Sequence, residues 1–437
     1  MTIRVRVARA GRVGLLVAAG AVVPMYLVAQ ERMTLDEAIQ RALVRSPAMA
    51  QQNQAVGNAE ASQQQAWGSF LPSLSASSSG SLRSQNRFDP TTDRIVSGSS
   101  DSYSAGLSAS YTVFAGGRRF ADLNQARAST QAAEVRREDQ RFQVTLQTKE
   151  AFFQALRQAD LEAVEESRLA QALRNLEMVR RRTEVGRATV SDSLRARLDY
   201  VNAQQAVLRA QTATRAARFA LGRQVGLGEP VEPAWDEAFE PAPLGMTDEE
   251  VLALAEASSP SVVAAEQAAT AADAGVRAAR TAYLPSVSFS TGYDWANQAA
   301  SFSDGTTSWS LALRASFPIF NGFQREATVE RARFSQVVAT LQEDDARLAA
   351  RQEADAALQE VRTAELAIGI AREAVAVAQE DLRVVRQRYD LSAATILDVI
   401  ISQAAADQAA ADAVTSRYDY ILARAQLEAV LGRELGS

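Results

Sequence analysis

The sequence predicts a mainly α-helical protein with a small β part, organised as a duplicated repeat of long helical hairpins with four strands in all. Three observations predict it. First, landmarks recur in order: MTLDEA at Met33 returns as MTDEEV at Met246, Ser46-Pro47 as Ser259-Pro260, and FLPSLS at Phe70 as YLPSVS at Tyr283. VFAGGRR at Val113 then returns as IFNGFQR at Ile319, and RTEVGRATVSDS at Arg182 as RYDLSAATILDV at Arg388. Self-similarity of this kind marks a repeat architecture. Second, the long stretches between landmarks are rich in Ala, Gln, Glu and Arg and free of internal Pro, a helix-forming composition. Third, four shorter segments alternate apolar and polar residues, the period of a strand with one wet face.

Composition removes several classes of function. The 437 residues carry a net charge of −6, so the basic footprint of a nucleic-acid binder is missing. There is no His and no Cys. That excludes disulfides, thiol nucleophiles, His general bases and nearly all zinc chemistry. No nucleophile elbow, phosphate loop or metal-ligand cluster is present, so no enzyme activity, cofactor or metal is expected.

Element by element, residues 1–29 read as a signal peptide. Arg4, Arg6, Arg9 and Arg12 precede an apolar run from Val13 to Val28, broken by Pro24. A retained anchor fits less well, because the run is short for a span and contains Pro. The first repeat then covers 30–227. It comprises a helix over 35–67, strands over about 70–84 and 101–115, a long helix over 118–184, a tip turn at 185–189 and a helix over 190–224. A Pro-rich acidic linker, 228–247, follows. The second repeat, 248–437, has a helix over 248–281, strands over about 284–296 and 307–320, a long helix over 324–389, a tip turn at 390–395 and a helix over 396–432. A long helix of this size spans roughly 100 Å, and the two shorter ones stacked end to end match it. No sustained Leu/Ile seam supports a simple coiled coil, and Ala-rich runs such as AAADQAAADA at Ala404 suit helices with two contact edges.

In the strands, Tyr103, Leu107, Tyr111 and Val113 alternate with Ser104, Gly106, Ser108 and Thr112, and Trp309, Leu311 and Leu313 with Ser308, Ser310 and Ala312. Apolar-out, polar-in strands of about ten residues with aromatics near their ends fit an outer-membrane barrel. A soluble sheet covered by helices is the alternative. The connections at about 85–100 and 297–306 read as polar loops. Four strands cannot close a barrel, so a membrane location requires several chains to share one.

The breaks after the long helices read first as local chemistry. Thr189-x-x-Asp192 and Thr395-x-x-Asp398 are capping-box patterns that start a new helix, with Thr189 and Thr395 as the caps.

On the duplication, the LPS turns, FAGGRR and FNGFQR, and the breaks VGRATVSD and LSAATILDV, the chain resembles the TolC-like outer-membrane efflux proteins over nearly its whole length. The resemblance implies a homotrimer that completes a twelve-stranded barrel in outer-membrane lipid above a periplasmic tunnel. It implies partnership with a periplasmic adaptor and an inner-membrane transporter, and an outer-membrane location in a Gram-negative bacterium with a long periplasmic part. It implies passive export of drugs, metals or polypeptides. By position it assigns a periplasmic gate to Asp398, Tyr389 and Asp192, and adaptor contacts to Val185, Gly186, Arg187 and Ala188 and to Leu391, Ser392, Ala393 and Ala394. Three copies of Asp398 would form an anionic ring whose mutual repulsion raises its pKa. The chain departs from the family pattern where Ala394 replaces an arginine of the closing network, Ile401 a second ring aspartate, Ser392 a turn glycine and Arg187 a leucine. One carboxylate layer and fewer ionic locks are therefore expected, with Arg187 either pairing with a neighbouring acid or solvated. A periplasmic coiled-coil adaptor is the competing class; it has no use for lipid-facing strands repeated in each half.

Overall fold

The computed structural model describes residues 32–91, 93–234, 244–299, 301, 303–433 and 435. The expected signal peptide and much of the acidic linker lie outside the described residues. The chain begins with β1 (Arg32–Met33), α1 (Leu35–Arg45) and α2 (Pro47–Gly68), then β2 (Ser73–Asp89), β3 (Arg94–Phe114), α3 (Arg118–Glu184) and α4 (Val190–Gln224). After β4 (Glu232–Pro233) the order recurs as α5 (Asp248–Ser258), α6 (Pro260–Arg280), β5 (Ser286–Asn297), β6 (Thr306–Ser316), α7 (Gln324–Asp390) and α8 (Ile396–Leu431).

The opening helix of each repeat differs from the single helix expected over 35–67 and 248–281. It is split at Ser46-Pro47 and again at Ser259-Pro260. Proline has no N–H to donate and forces the residue before it out of the helical region. Ser46 (ψ 125°) and Ser259 (ψ 136°) are extended accordingly, and each is followed by proline in the first helical turn. Ser46 ends one helix and caps the next, its side chain accepting from Met49 N. The final turn of the second repeat's helix is a 3-10 segment, Thr281–Tyr283.

α3 and α7 each have 67 residues, roughly 100 Å. α3 packs on α2 and α6 over its upper part and on α4 and α8 over its lower part. α7 packs on α6 above and α8 below. In ring order the wall is α2–α3–α6–α7 above and α4–α3–α8–α7 below, so α2, α4 and α7 form the free edges. Two of those edges are apolar: Leu194, Leu198 and Leu208 on α4 and Phe334, Leu341 and Ile370 on α7 are all exposed.

The core gathers in blocks. One joins Met33, Phe152, Phe153, Leu221, Val231 and Tyr418 where β1 pairs in parallel with β4 at mid-height. A second joins Val251, Leu358, Val361, Tyr420 and Leu427. A third sits at the far end of the shaft and is described below.

The strands form one antiparallel sheet in the order β2–β3–β5–β6. The first hairpin is longer than the expected strands over about 70–84 and 101–115. Its ladder runs without a break from Ser73↔Ser110 to Asp89↔Arg94, so most of the stretch expected as a loop over 85–100 is strand. The ladder is made by backbone groups and tolerates polar side chains; what sets its end is the turn after Asp89, where Asp93 takes φ 47°. The register puts Leu74, Ala109, Thr291 and Leu311 in one row, and Tyr293 and Trp309 side by side in the next row of the same face. Serine and glycine predominate on the opposite face, which also carries Arg83, Asp294 and Arg314. Trp309 and Leu313 are 75% and 70% exposed. β2 and β6 lie at the ends of the strand order, each paired on one side only among the described residues.

Each strand-to-helix corner carries the same clasp. The Arg119 guanidinium lies over the rings of Phe70 (5.8 Å) and Tyr111 (4.9 Å) and donates to the Thr112 carbonyl. Arg325 lies over Tyr283 (5.0 Å) and donates to the Pro318 and Ile319 carbonyls at 2.8 and 3.1 Å. The aromatic comes from the LPS motif and the arginine from the FAGGRR or FNGFQR motif, so the two recurrent motifs are halves of one joint. Gly116 (φ 60°) is required there, because a Cβ would come within 2.4 Å of Leu284 Cβ.

Candidate functional site

The far end of the shaft is formed by the α3–α4 and α7–α8 turns. Both are built from two local motifs in series. The long helix ends in a Schellman motif: Arg187 N donates to Arg182 O (2.7 Å) and Gly186 N to Thr183 O (3.0 Å). The second turn repeats it, with Ala393 N donating to Arg388 O (2.7 Å) and Ser392 N to Tyr389 O (3.0 Å). Three residues later each new helix opens with a capping box. Asp192 N donates to Thr189 Oγ1 (3.1 Å) and Thr189 N to Asp192 Oδ2 (3.0 Å). Asp398 N donates to Thr395 Oγ1 (3.3 Å) and Thr395 N to Asp398 Oδ2 (2.8 Å).

Below the turns, Leu176, Val179, Ala196, Tyr389, Ile396 and Val399 form the tip core, with Ala188 and Ala394 packed on it. The remaining expected contact residues, Val185, Gly186, Arg187, Leu391, Ser392 and Ala393, are exposed. Leu391 (81%), Val185 (69%) and Ile401 (59%) give this end an apolar surface. Arg187 is exposed and makes no ion pair among the described residues.

Of the three expected gate residues, Asp398 is exposed on the first turn of α8. Its carboxyl is held below the usual value by the backbone and side-chain hydrogen bonds from Thr395, with Arg388 adding to the effect. Tyr389 is buried, and burial pushes its phenol upward. Asp192 is near enough to influence Tyr389, but its bonded oxygen is taken by its own cap, and no hydrogen bond joins the two among the described residues.

The residue that does hold Tyr389 is Arg182. Its guanidinium stacks on the Tyr389 ring at 4.3 Å, donates to the Tyr389 carbonyl at 2.8 Å, and pairs with Asp390 Oδ1 at 2.9 Å. It therefore ties the first hairpin to the second within one chain. The sequence shows Arg182 only as one of a matched pair with Arg388, and gives no sign that one of the pair crosses over.

Further up, the α3–α8 seam is a series of polar bridges. Lys149 meets Glu428 at 2.6 Å, Arg157 meets Asp419 at 3.0 Å, and the Tyr418 hydroxyl donates to Asp160 at 2.7 Å. Burial first, then Asp160, pushes the Tyr418 phenol well up. Below these, Arg168 sits between Glu165 (3.6 Å) and Asp407 (3.8 Å). Burial raises the carboxyls of Asp407 and of Asp199 on α4. Packing beside this layer is by small residues, Ala172, Ala406 and Ala409.

A tall helical wall, apolar along its α4 and α7 edges, is joined through paired corners to a four-stranded sheet that is apolar on one face. No helix among the described residues is long and apolar enough to cross a membrane. The profile of the outer membrane efflux protein family matches residues 38–227 and 251–433, one match per repeat, and the chain belongs to that family. It is a TolC-like protein of the Gram-negative outer membrane with a long periplasmic helical part. It is 28% identical to protein CyaE of Bordetella pertussis over 377 residues, covering 82% of this chain and 71% of the relative. It is 24% identical to outer membrane protein TolC of Vibrio cholerae over 298 residues, 66% of this chain and 67% of the relative. Among solved structures, a membrane protein from Pseudomonas aeruginosa superposes with a TM-score of 0.79 at 20% identity, covering 93% of this chain and 91% of that one. The outer membrane protein VceC of Vibrio cholerae gives 0.76 at 19% identity, covering 92% and 97%.

Proposed function

We propose that three copies of the chain close their sheets into one twelve-stranded barrel and their helices into one tunnel, and that substrate crosses passively while the helical tips open and shut the periplasmic end. Membership of an outer membrane efflux family establishes the channel class, and family members work with periplasmic adaptors and inner-membrane transporters. The observation that carries the assembly is the four-stranded sheet, apolar on one face, whose outer strands β2 and β6 are each paired on one side only among the described residues. An open edge is not tolerated in lipid, and four strands are half the smallest barrel. The apolar edges of α4 and α7 lie at opposite ends of the same wall, so one copy's α4 meets the next copy's α7 in a closed ring.

The same reading makes the exposed residues of the two turns the surface for the adaptor. It makes Asp398, Tyr389 and Asp192 the gate, with Asp398 both cap and ring. Arg182 takes the locking place left by Ala394. The test is the mass of the detergent-solubilised outer-membrane species together with bilayer conductance. A three-chain species supports the assembly; a water-soluble monomer or dimer overturns it. Asp398→Asn keeps a capping oxygen and removes the charge, so conductance and cation preference unchanged from the parent would remove Asp398 from the gate.

A further inference from the structure

The sheet face opposite the apolar one is almost wholly serine and glycine. Hydroxyls pair directly across β2 and β3, at 2.7 Å for Ser73–Ser110 and 2.8 Å for both Ser75–Ser108 and Ser79–Ser104. From the helix end of the sheet as far as Arg83, three ionisable side chains interrupt this face at regular heights; Arg94 lies on the same face nearer the hairpin turn. Arg314 pairs with Ser288, which pairs with Thr112. Asp294 pairs with Gly106. Arg83 pairs with Ser100, on the part of the first hairpin that extends beyond β5 and β6. Counted along β3, the three levels are Thr112, Gly106 and Ser100, six residues apart each time, or roughly 20 Å per step. Over that stretch the polar face reads positive, negative, positive.

Asp294 stands alone at its height. The row across the sheet is Ser77, Gly106, Asp294 and Ser308, with no counter-charge. None of the three charges makes an ion pair among the described residues, and all three are exposed. Two glycines make the room for the carboxylate. A Cβ on Gly106 would come within 2.3 Å of Asp294 Oδ1, and one on Gly292 within 3.4 Å of its Oδ2. The carboxylate thus lies low on the sheet and leaves the conduit open beside it. At physiological salt the screening length is about 8 Å, well short of the roughly 20 Å to either arginine row, so Asp294 acts on passing ions without being cancelled.

We propose that Asp294 is the specificity-determining residue of the strand-lined part of the conduit: it forms a cation-attracting waist that favours cationic permeants such as protonated amines, between the cationic rows of Arg314 and Arg83. The proposal rests on the channel reading above. It is separate from the tips, because Asp294 and Asp398 lie at opposite ends of α7, roughly 100 Å apart.

The experiment uses full-length protein purified from the outer-membrane fraction and reconstituted in planar bilayers. The reversal potential in a KCl gradient gives the cation-to-anion permeability ratio, and spermine added on the strand side probes the waist without crossing the tips. Asp294→Asn is expected to lower the permeability ratio about threefold and to weaken strand-side spermine block about tenfold. Asp398→Asn should leave strand-side block unchanged. At 10 mM salt the screening length grows to about 30 Å, the three rows merge, and the difference between parent and Asp294→Asn shrinks. Asp294→Ser, which matches its serine neighbours, serves if the Asn variant fails to assemble. A conducting Asp294→Asn or Asp294→Ser variant with the parent's ratio and the parent's block overturns the proposal alone. Absence of conductance from the parent overturns the channel reading, and the proposal with it.

Discussion

The two tips share one backbone and differ in what their arginines do. Arg182 and Arg388 occupy equivalent places before the turn. Arg182 leaves its own hairpin and holds Tyr389 and Asp390 of the other, while Arg388 stays at home, donating to the Ala393 carbonyl at 3.3 Å. The left-handed position is Gly186 (φ 72°) in the first turn and Ser392 (φ 61°) in the second. A serine there is strained where glycine is free. The second hairpin thus has the more strained turn and depends on the first for its lock. Duplication preserved the local motif and left the contact between copies to diverge.

The strongest way to break this asymmetry is Arg182→Ala. It removes a stacked, mostly buried guanidinium with three hydrogen bonds to the other hairpin and is expected to destabilise the second tip by about 2 kcal/mol. Hydrogen exchange should quicken at residues 388–400 and much less at 182–193, whereas Arg388→Ala should change little at either. Equal effects from the two variants would remove the one-way latch. Next come the caps, where the tips should behave alike: Thr189→Ala and Thr395→Ala are each expected to cost about 1 kcal/mol of local stability, read by the same exchange experiment. Smaller again are the turn residues, with opposite signs. Ser392→Gly should stabilise its turn by about 0.5 kcal/mol and Gly186→Ala should destabilise its turn by about 1 kcal/mol, measured by urea denaturation of the purified protein.

The smallest effect separates tip from seam by pH. Asp407 and Asp199 are raised by burial, and Asp407 also by Glu165 and Asp199, against the opposing pull of Gln403 and Arg168; Arg386 from α7 also faces this layer. A raised carboxyl penalises the ionised form, so the seam gains stability as pH falls from neutrality through these raised values. Asp398 is lowered, so its contribution is full above about 3.8 and is lost as pH falls through its depressed value. Acidification should therefore first slow exchange around residues 403–411 and only later loosen the start of α8. Asp407→Asn should flatten much of the first change; an unaltered profile in that variant would refute the assignment.

Much of this was legible in the residues. Helix starts were readable because a Thr-x-x-Asp cap is closed within four residues, and the strand faces because the period of two survives in Tyr103–Val113 and Trp309–Leu313. The split at Ser46-Pro47 was also present in the sequence but was outweighed by the helical composition around it. The length of the first hairpin was not readable, since Ser, Arg and Asn over 85–100 look like a loop whether or not their backbones pair. Arg182 was visible as a repeat match and invisible as a latch.

By itself, then, the sequence determined the duplication, the alternation of long helices with strands, and the capped turns at Thr189 and Thr395, all of which depend on neighbours a few residues apart. Only the tertiary structure decided that β3 pairs with β5, that Arg182 rather than Arg388 crosses between hairpins, and that Arg314, Asp294 and Arg83 share one face at even spacing. These rest on contacts between residues as much as about 200 positions apart, fixed by how the two repeats pack rather than by any local pattern in either.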